Sequence, residues 1–397
     1  MRLDFKKVFG LVISSIILIL CFLILKSKTV DSSSLIWGAW SFSELLINYP
    51  ENTFVRRGLL GEVFQVLAGD GPAYDLIQMF VFYNFLTFIF LVSLLLYFYK
   101  IKLAQYCLFL LSSFGFLNLI SYDLIYHRKE VFIFNLFIVF LLLLKINKKR
   151  NIKYLLLFYL AFSTIVISLI HEGMILIFLP FIYTFLQKEK VIFFNKIDLK
   201  NIYLGLSSIL LILIITNSGN KNISNLIFQN LHPFDRSFLE DLTVDGIRAI
   251  GWSLKRGIVL PLRIFLSGNA FYWLYILGLT FFTLYVVSFS GTFADFTTYV
   301  VKLHRKNPIL YLSYSIFFIG WDWGRWFIII FYLYLFLFIF DNITGNSEGK
   351  SKLTLGVLAL YLILSFGTII PECCVSWTDP KILNNIERYT GEIKFNY

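Results

Sequence analysis

Long apolar runs, rich in Phe, Leu and Ile, alternate with short polar connections along the chain. A run of roughly 18 residues is enough to cross a hydrocarbon core of about 30 Å. The pattern predicts eleven membrane spans, at 9–25, 75–99, 104–121, 131–147, 153–170, 174–187, 202–216, 270–289, 308–320, 326–340 and 353–370. The first follows MRLDFKK and reads as an uncleaved signal anchor, because no small-residue cleavage site precedes LKSKTVDSSS. The two spans flanking WDWGRW are short, and fit tilted helices or a re-entrant turn. The fold class predicted is all-α: one polytopic membrane domain over 1–397, with two longer outer segments, 26–74 and 217–269, forming interfacial helices.

Within the first outer segment, Leu60, Val63, Phe64 and Leu67 recur at helical spacing, which predicts a short amphipathic helix in the interface. Within the second, a helix over 238–256 would put Arg248, Trp252 and Lys255 on one face. Arg256 and Arg263 would extend that basic stripe, which Pro261 between them disturbs.

Composition sharpens the class. Hydrophobic residues make up 58% and charged residues 15% of 397, and mean hydropathy is +0.76, too apolar for a soluble domain. Cys21 and Cys107 lie in apolar runs and Cys373 and Cys374 are adjacent, so no disulfide framework is expected. The net charge of +11 reflects loop lysines near anionic headgroups, and no nucleic-acid motif accompanies it. The short basic connection KINKKRNIK (145–153) places that loop, and with it the N-terminus, on the cytoplasmic side. Eleven spans then put the C-terminus outside.

This threading collects NTFVRRGLLGE (52–62), DLIYHRKE (123–130), HEG (171–173), LHPFDR (231–236) and WDWGRW (321–326) on the outer face. Arg56 and Arg57, before Gly58, suit a bidentate clamp on phosphate oxygens, although a basic pair at headgroup level has the same sequence. His127, Arg128 and Lys129 precede Glu130, whose carboxylate suits a helix start; an ordinary interfacial charge cluster reads alike. His171 and Glu172 offer a proton-shuttling pair, though adjacent helical positions point about 100° apart and would serve different partners. HEG lacks the second histidine of a zinc-protease motif. Asp322 and Arg325, at i and i+3, either neutralise each other or serve a site, since ionisable groups beside a bilayer core tend to be functional. His232, Asp235 and Arg236 are loop residues with the same two readings.

FVRRGLLGE, HRKE, HEG and DWGRW together resemble a family of multispan proteins from bacterial surface-polysaccharide gene clusters, the Wzy-type O-antigen or capsule repeat-unit polymerases. The wider group resembles GT-C-type membrane glycosyltransferases and the O-antigen ligases. The ligase pattern places a Gly eleven residues after the catalytic His; after His232 that position is Thr243.

The resemblance implies transfer of a growing glycan from undecaprenyl diphosphate to a sugar hydroxyl of another lipid-linked repeat unit. Catalytic candidates are then His171, Glu172, Asp322 and His232. Arg56, Arg57, His127, Arg128, Lys129, Arg236, Arg248, Arg256 and Arg325 become candidates for binding diphosphate and glycan. No cofactor is expected, because phosphate-clamping arginines can replace a metal; a carboxylate-bound cation is the alternative. Expected partners are the lipid-linked oligosaccharide, membrane lipid and a chain-length regulator protein. The rival reading within the enzyme class is a GT-C enzyme adding one sugar from a polyprenyl-phosphate sugar, with Glu44, Glu51 or Glu62 as base. A lipid-linked oligosaccharide flippase is a further alternative. It would line a mid-bilayer cavity with charge, whereas the span interiors here offer Asn84, Asn118 and Asn135.

Overall fold

The structure is a computed structural model. It describes Leu20 and residues 35–50, 53–98, 101–115, 128–193, 197–216, 219–242, 245–252, 259, 270–288, 293–319, 322–342, 354–368 and 370. Among the described residues the regular structure is helical apart from a two-residue antiparallel ladder, Ile192–Phe193 against Ile197–Asp198. Among the described residues, six helices are long and apolar enough to cross a membrane, which makes this a polytopic membrane protein. The expected first span lies outside the described residues except for Leu20.

The first compact unit comprises Met1–Lys100, Ile125–Leu254 and Asn307–Ile316. It holds the membrane-length helices Tyr74–Phe98, Glu130–Asn147, Lys153–Ile170 and Leu199–Thr216. The helix Glu130–Arg150 stops because Asn151 turns left-handed (φ 46°) and donates its N–H back to Asn147 O, a common helix C-terminal device. With only Asn151 and Ile152 between them, Glu130–Arg150 and Lys153–Ile170 form an antiparallel hairpin. Residues just before Glu130 and just after Ile170 therefore share one end of that hairpin, which is what places the site below.

Inside the unit the Tyr74–Phe98 and Glu130–Arg150 helices are pinned by asparagine. Asn135 Nδ2 donates to Asn84 Oδ1 at 2.8 Å and to Asn84 O at 2.9 Å, both groups buried. In hydrocarbon such amides must find each other, because no water can serve them.

The amphipathic helix expected around Leu60 is present as Leu59–Ala68. Leu60 and Phe64 are buried, while Val63, Val66 and Leu67 are exposed, so its apolar stripe is divided between the protein and its surroundings. The helix expected over 238–256 is broken. The chain instead forms Pro233–Leu242, a single turn Asp245–Arg248 and a 3-10 turn Ala249–Gly251. Gly246 sits against Leu35–Leu45 so closely that a Cβ there would meet Ser43 Oγ at 2.1 Å and Trp40 O at 2.7 Å. That long-range contact, not local periodicity, sets the path. Arg248 and Trp252 consequently part company: Arg248 is exposed beside Asp245, and Trp252 meets the Trp40 ring at 6.0 Å. Lys255, Arg256 and Arg263 lie outside the described residues.

The segment expected to span at 308–320 is a 3-10 helix, Pro308–Ser315, continuing into Ile316–Ile319. At about 2.0 and 1.5 Å per residue these pieces reach roughly 22 Å, short of the core. Ser313 and Ser315 bond back to Leu310 O and Leu312 O, favouring the tighter winding.

The second compact unit comprises Ile101–Leu124, Lys255–Lys306 and Phe317–Tyr397. It holds the membrane-length helices Phe271–Ser288 and Trp323–Phe340. Over the expected span at 104–121, the helix Leu103–Leu110 ends in a turn that reaches Gly115, where a Cβ would meet Leu110 O at 2.3 Å. The carbonyls this break frees are satisfied by tyrosines: Tyr361 donates to Leu108 O at 2.6 Å and Tyr332 to Phe114 O at 2.9 Å.

The Asn84–Asn135 contact predicts a measurable coupling. In a double-mutant cycle of Asn84→Ala and Asn135→Ala, scored by unfolding in mixed micelles, the interaction energy should be about 0.6–2 kcal/mol. Additive single-mutant effects would contradict it.

Candidate functional site

The hairpin brings Arg128, Lys129 and Glu130 to the same end as His171 and Glu172. Two further stretches of chain meet them there. The helix Leu35–Leu45 carries Glu44 in its last turn. The turn before Leu59–Ala68 carries Arg56 and Arg57. Two glycines allow that turn to fold back closely. A Cβ at Gly58 would strike the Tyr49 ring at 2.4 Å, and one at Gly61 would strike Ile47 O at 2.1 Å. Gly58 itself has ordinary helical φ; Arg57 is the residue in the left-handed region, at φ 69°. That conformation is costly for a side chain bearing a Cβ, so the contacts of Arg57 must hold it.

Those contacts centre on Glu172. Arg57 Nε donates to Glu172 Oε2 at 2.8 Å and Oε1 at 3.0 Å, and Arg57 Nη2 donates to Oε1 at 2.7 Å. Arg56 Nη1 adds a bond to Oε1 at 3.2 Å, while its Nη2 donates to Ala249 O at 3.2 Å. Arg57 Nη1 reaches across to Glu44 Oε1 at 3.3 Å. Glu44 is buried and draws in more cations: Lys129 Nζ lies 3.5 Å and Arg128 Nη1 3.9 Å from its Oε2, and Trp40 Nε1 donates to Oε1 at 3.3 Å. Glu130, fully buried, has Oε1 3.6 Å from His171 Nε2. His171 Nδ1 accepts the Gly173 N–H at 3.2 Å, so the ring proton sits on Nε2, toward Glu130.

The result is a buried knot of four basic side chains and three carboxylates around one histidine. Burial would lower the Arg57 pKa, but attraction and hydrogen bonding to Glu172, with Glu44 and Glu130, carry it upward overall. Burial would raise that of Glu172, but Arg57 and Arg56 hold it well below the usual carboxylate range. Burial lowers the Arg56 pKa. Lys129 is pushed down to about 8 by burial, only partly offset by Glu44.

Six of the sequence-predicted residues thus converge: Arg56, Arg57, Arg128, Lys129, His171 and Glu172. The Arg57 fork is filled by Glu172. The two nitrogens of His171 face the Gly173 N–H and Glu130. The left-handed backbone lies at Arg57, next to Gly58.

The other candidates have different surroundings. His232 Nδ1 accepts the Phe234 N–H at 3.2 Å, at the start of the Pro233–Leu242 helix. Arg236 Nη2 donates to Gln229 O at 2.7 Å and Leu231 O at 3.1 Å, sealing the end of the Lys221–Gln229 helix. Arg248 is exposed beside Asp245. Asp235 is buried and accepts the Ala73 N–H at 2.8 Å, capping the Tyr74–Phe98 helix. In the second unit Asp322 and Arg325 pair at 2.7 Å across one turn, and Arg325 lies over the Trp326 ring at 4.5 Å. His127, Arg256 and Glu51 lie outside the described residues.

Read from the chain alone, Glu44 has weight only as a sugar-transferase base and Glu130 only as a helix-dipole partner. Both are the buried anions around which the cations gather. The available signal was Glu44 itself, a carboxylate four residues after Trp40 in an otherwise apolar stretch. Among the described residues, no group of three or more His, Cys, Asp or Glu side chains is arranged to hold a metal ion. Compared with protein-family models, curated proteins and solved structures, the chain matches none.

Lys129 predicts a pH effect. Its folded pKa of about 8 lies below the unfolded value of 10.5, so between these the unfolded chain binds the extra proton and folding stability rises with pH. The melting temperature of the protein in detergent, relative to that of Lys129→Met, should climb as pH rises from 8 towards 10.5. A flat difference would show that Lys129 is not buried as a charge.

Proposed function

We propose that this membrane protein polymerises lipid-linked oligosaccharide repeat units, moving a glycan from undecaprenyl diphosphate to a sugar hydroxyl of another unit. The observation supporting this most is the convergence of the Arg56 and Arg57 guanidiniums with buried Arg128 and Lys129 at one end of a membrane-length helical hairpin. A diphosphate leaving group on a lipid carrier arrives at that level of a bilayer, and planar guanidinium forks match its oxygens. In this reading the acceptor oxygen attacks the anomeric carbon, a carboxylate takes its proton, and the arginines hold the departing diphosphate.

The reading places the protein in the cytoplasmic membrane, with the N-terminus inside and the arginine cluster outside. A chain-length regulator would be its protein partner. Asp322 and Arg325, an ion pair of the second unit, belong to the expected set and are tested on their own.

A second reading, a GT-C enzyme adding one sugar, draws support from Glu44, a first-loop carboxylate buried within the cluster. The two differ in a deletion strain. Lone complete repeat units without a ladder mean a polymerase; truncated units mean a sugar transferase.

Arg57→Lys should lower polymer output by at least about tenfold at matched membrane abundance, because a point charge cannot reproduce bidentate binding. His171→Ala and Asp322→Asn should abolish the ladder, and His232→Ala should leave most of it. A normal ladder from Arg57→Lys would reduce the pair to headgroup anchors.

A further inference from the structure

The cluster has an inner and an outer layer. Glu44, Arg128, Lys129, Glu130 and His171 are all at most 4% exposed. Arg56, Arg57 and Glu172 are 18%, 17% and 16% exposed at the side chain, so the knot opens at these three. At that opening one carboxylate takes four hydrogen bonds from three guanidinium nitrogens. Paired carboxylate oxygens are what a phosphate group would present to the same forks. Arg56 Nε, buried, has no hydrogen-bond partner among the described residues, so the forks hold one more donor than the carboxylate uses. Glu172 also stands at the start of the Gly173–Glu189 helix without its side chain capping it, so the helix start does not depend on that side chain staying in place.

We infer that Glu172 is a displaceable stand-in for a diphosphate: it fills the Arg56–Arg57 forks in the empty protein, and the diphosphate of the incoming donor evicts it. This rests on the polymerase reading for the identity of the donor, but the anion exchange does not need it. The exchange also links donor binding to catalysis. In the forks Glu172 is a poor base, held ionised by the arginines. Out of them it loses that stabilisation while staying partly desolvated, so it gains proton affinity. Glu172 then accepts the proton of the acceptor hydroxyl as that oxygen bonds to the anomeric carbon. The bond from that carbon to the diphosphate oxygen breaks, and its electron pair leaves on the diphosphate, which the forks hold. A free diphosphate and a lipid phosphate headgroup share this chemistry, and the experiment separates them.

The test uses the full chain in phosphatidylcholine nanodiscs, titrated with inorganic diphosphate. Glu172→Gln, which keeps the shape and removes the competing charge, should bind diphosphate at least about tenfold more tightly than the native protein. Arg57→Lys on that background should lose the gain. Glu172→Asp, one methylene shorter, should fall between and guards against misfolding of the Gln variant. In cells Glu172→Gln should make no polymer despite the tighter binding, a split that a merely structural role would not produce. Unchanged or weaker binding in both Glu172 variants overturns the inference. So does loss of diphosphate binding in phosphatidylglycerol nanodiscs, which would make the headgroup the natural occupant. Tighter binding by Glu172→Gln together with an intact ladder in the deletion strain would keep the stand-in and remove the polymerase.

Discussion

The bidentate ion pair between Arg57 and Glu172 ties three separate parts of the chain at the edge of a membrane bundle. Arg57 comes from the turn before Leu59–Ala68, Glu172 from the junction of two helices, and Glu44, on the far side of Arg57, from Leu35–Leu45. Removing either partner leaves a largely desolvated charge, which is far more costly than never having had the pair. The left-handed backbone at Arg57 is maintained by the same contacts. Gly58 and Gly61 let the turn carrying Arg57 pack against Tyr49 and Ile47, and Gly246 lets its turn approach the helix that carries Glu44.

The bilayer imposes the second constraint. Backbone and amide groups within the bundle need internal partners, and several find them: Asn135 Nδ2 on Asn84, and tyrosine hydroxyls on the carbonyls around Leu103–Leu110. The spans differ in how much protein surrounds them. In Trp323–Phe340 94% of residues are buried, against 22% in Leu199–Thr216, whose exposed Ile209, Ile212 and Ile215 face outward as a lipid-contacting side would.

Much of this was legible in the chain. Apolar run length marks the spans at Tyr74–Phe98, Glu130–Asn147, Lys153–Ile170 and Leu199–Thr216 to within a few residues, because nothing else in water or lipid makes such runs. The i, i+3 spacing of Asp322 and Arg325 left pairing and a site role both open, and the structure pairs them at 2.7 Å. Threading alone brought Arg56, Arg57, Arg128, Lys129, His171 and Glu172 to one face. What the chain did not disclose depends on contacts distant in sequence. Glu172 in the Arg57 fork joins residues 115 apart, and no local pattern encodes that. The break in the expected 238–256 helix follows from Gly246 against Ser43. The 3-10 winding at Pro308–Ser315 follows from serine back-bonding that hydropathy does not register.

The central claim is that Arg57 and Glu172 act as one unit. A double-mutant cycle of Arg57→Ala and Glu172→Ala on the stability of the purified protein measures that directly. The account predicts a coupling of at least about 2 kcal/mol, with each single variant nearly as destabilised as the double. Strictly additive losses would contradict it, and would mean that the pair is a surface contact with no organising role.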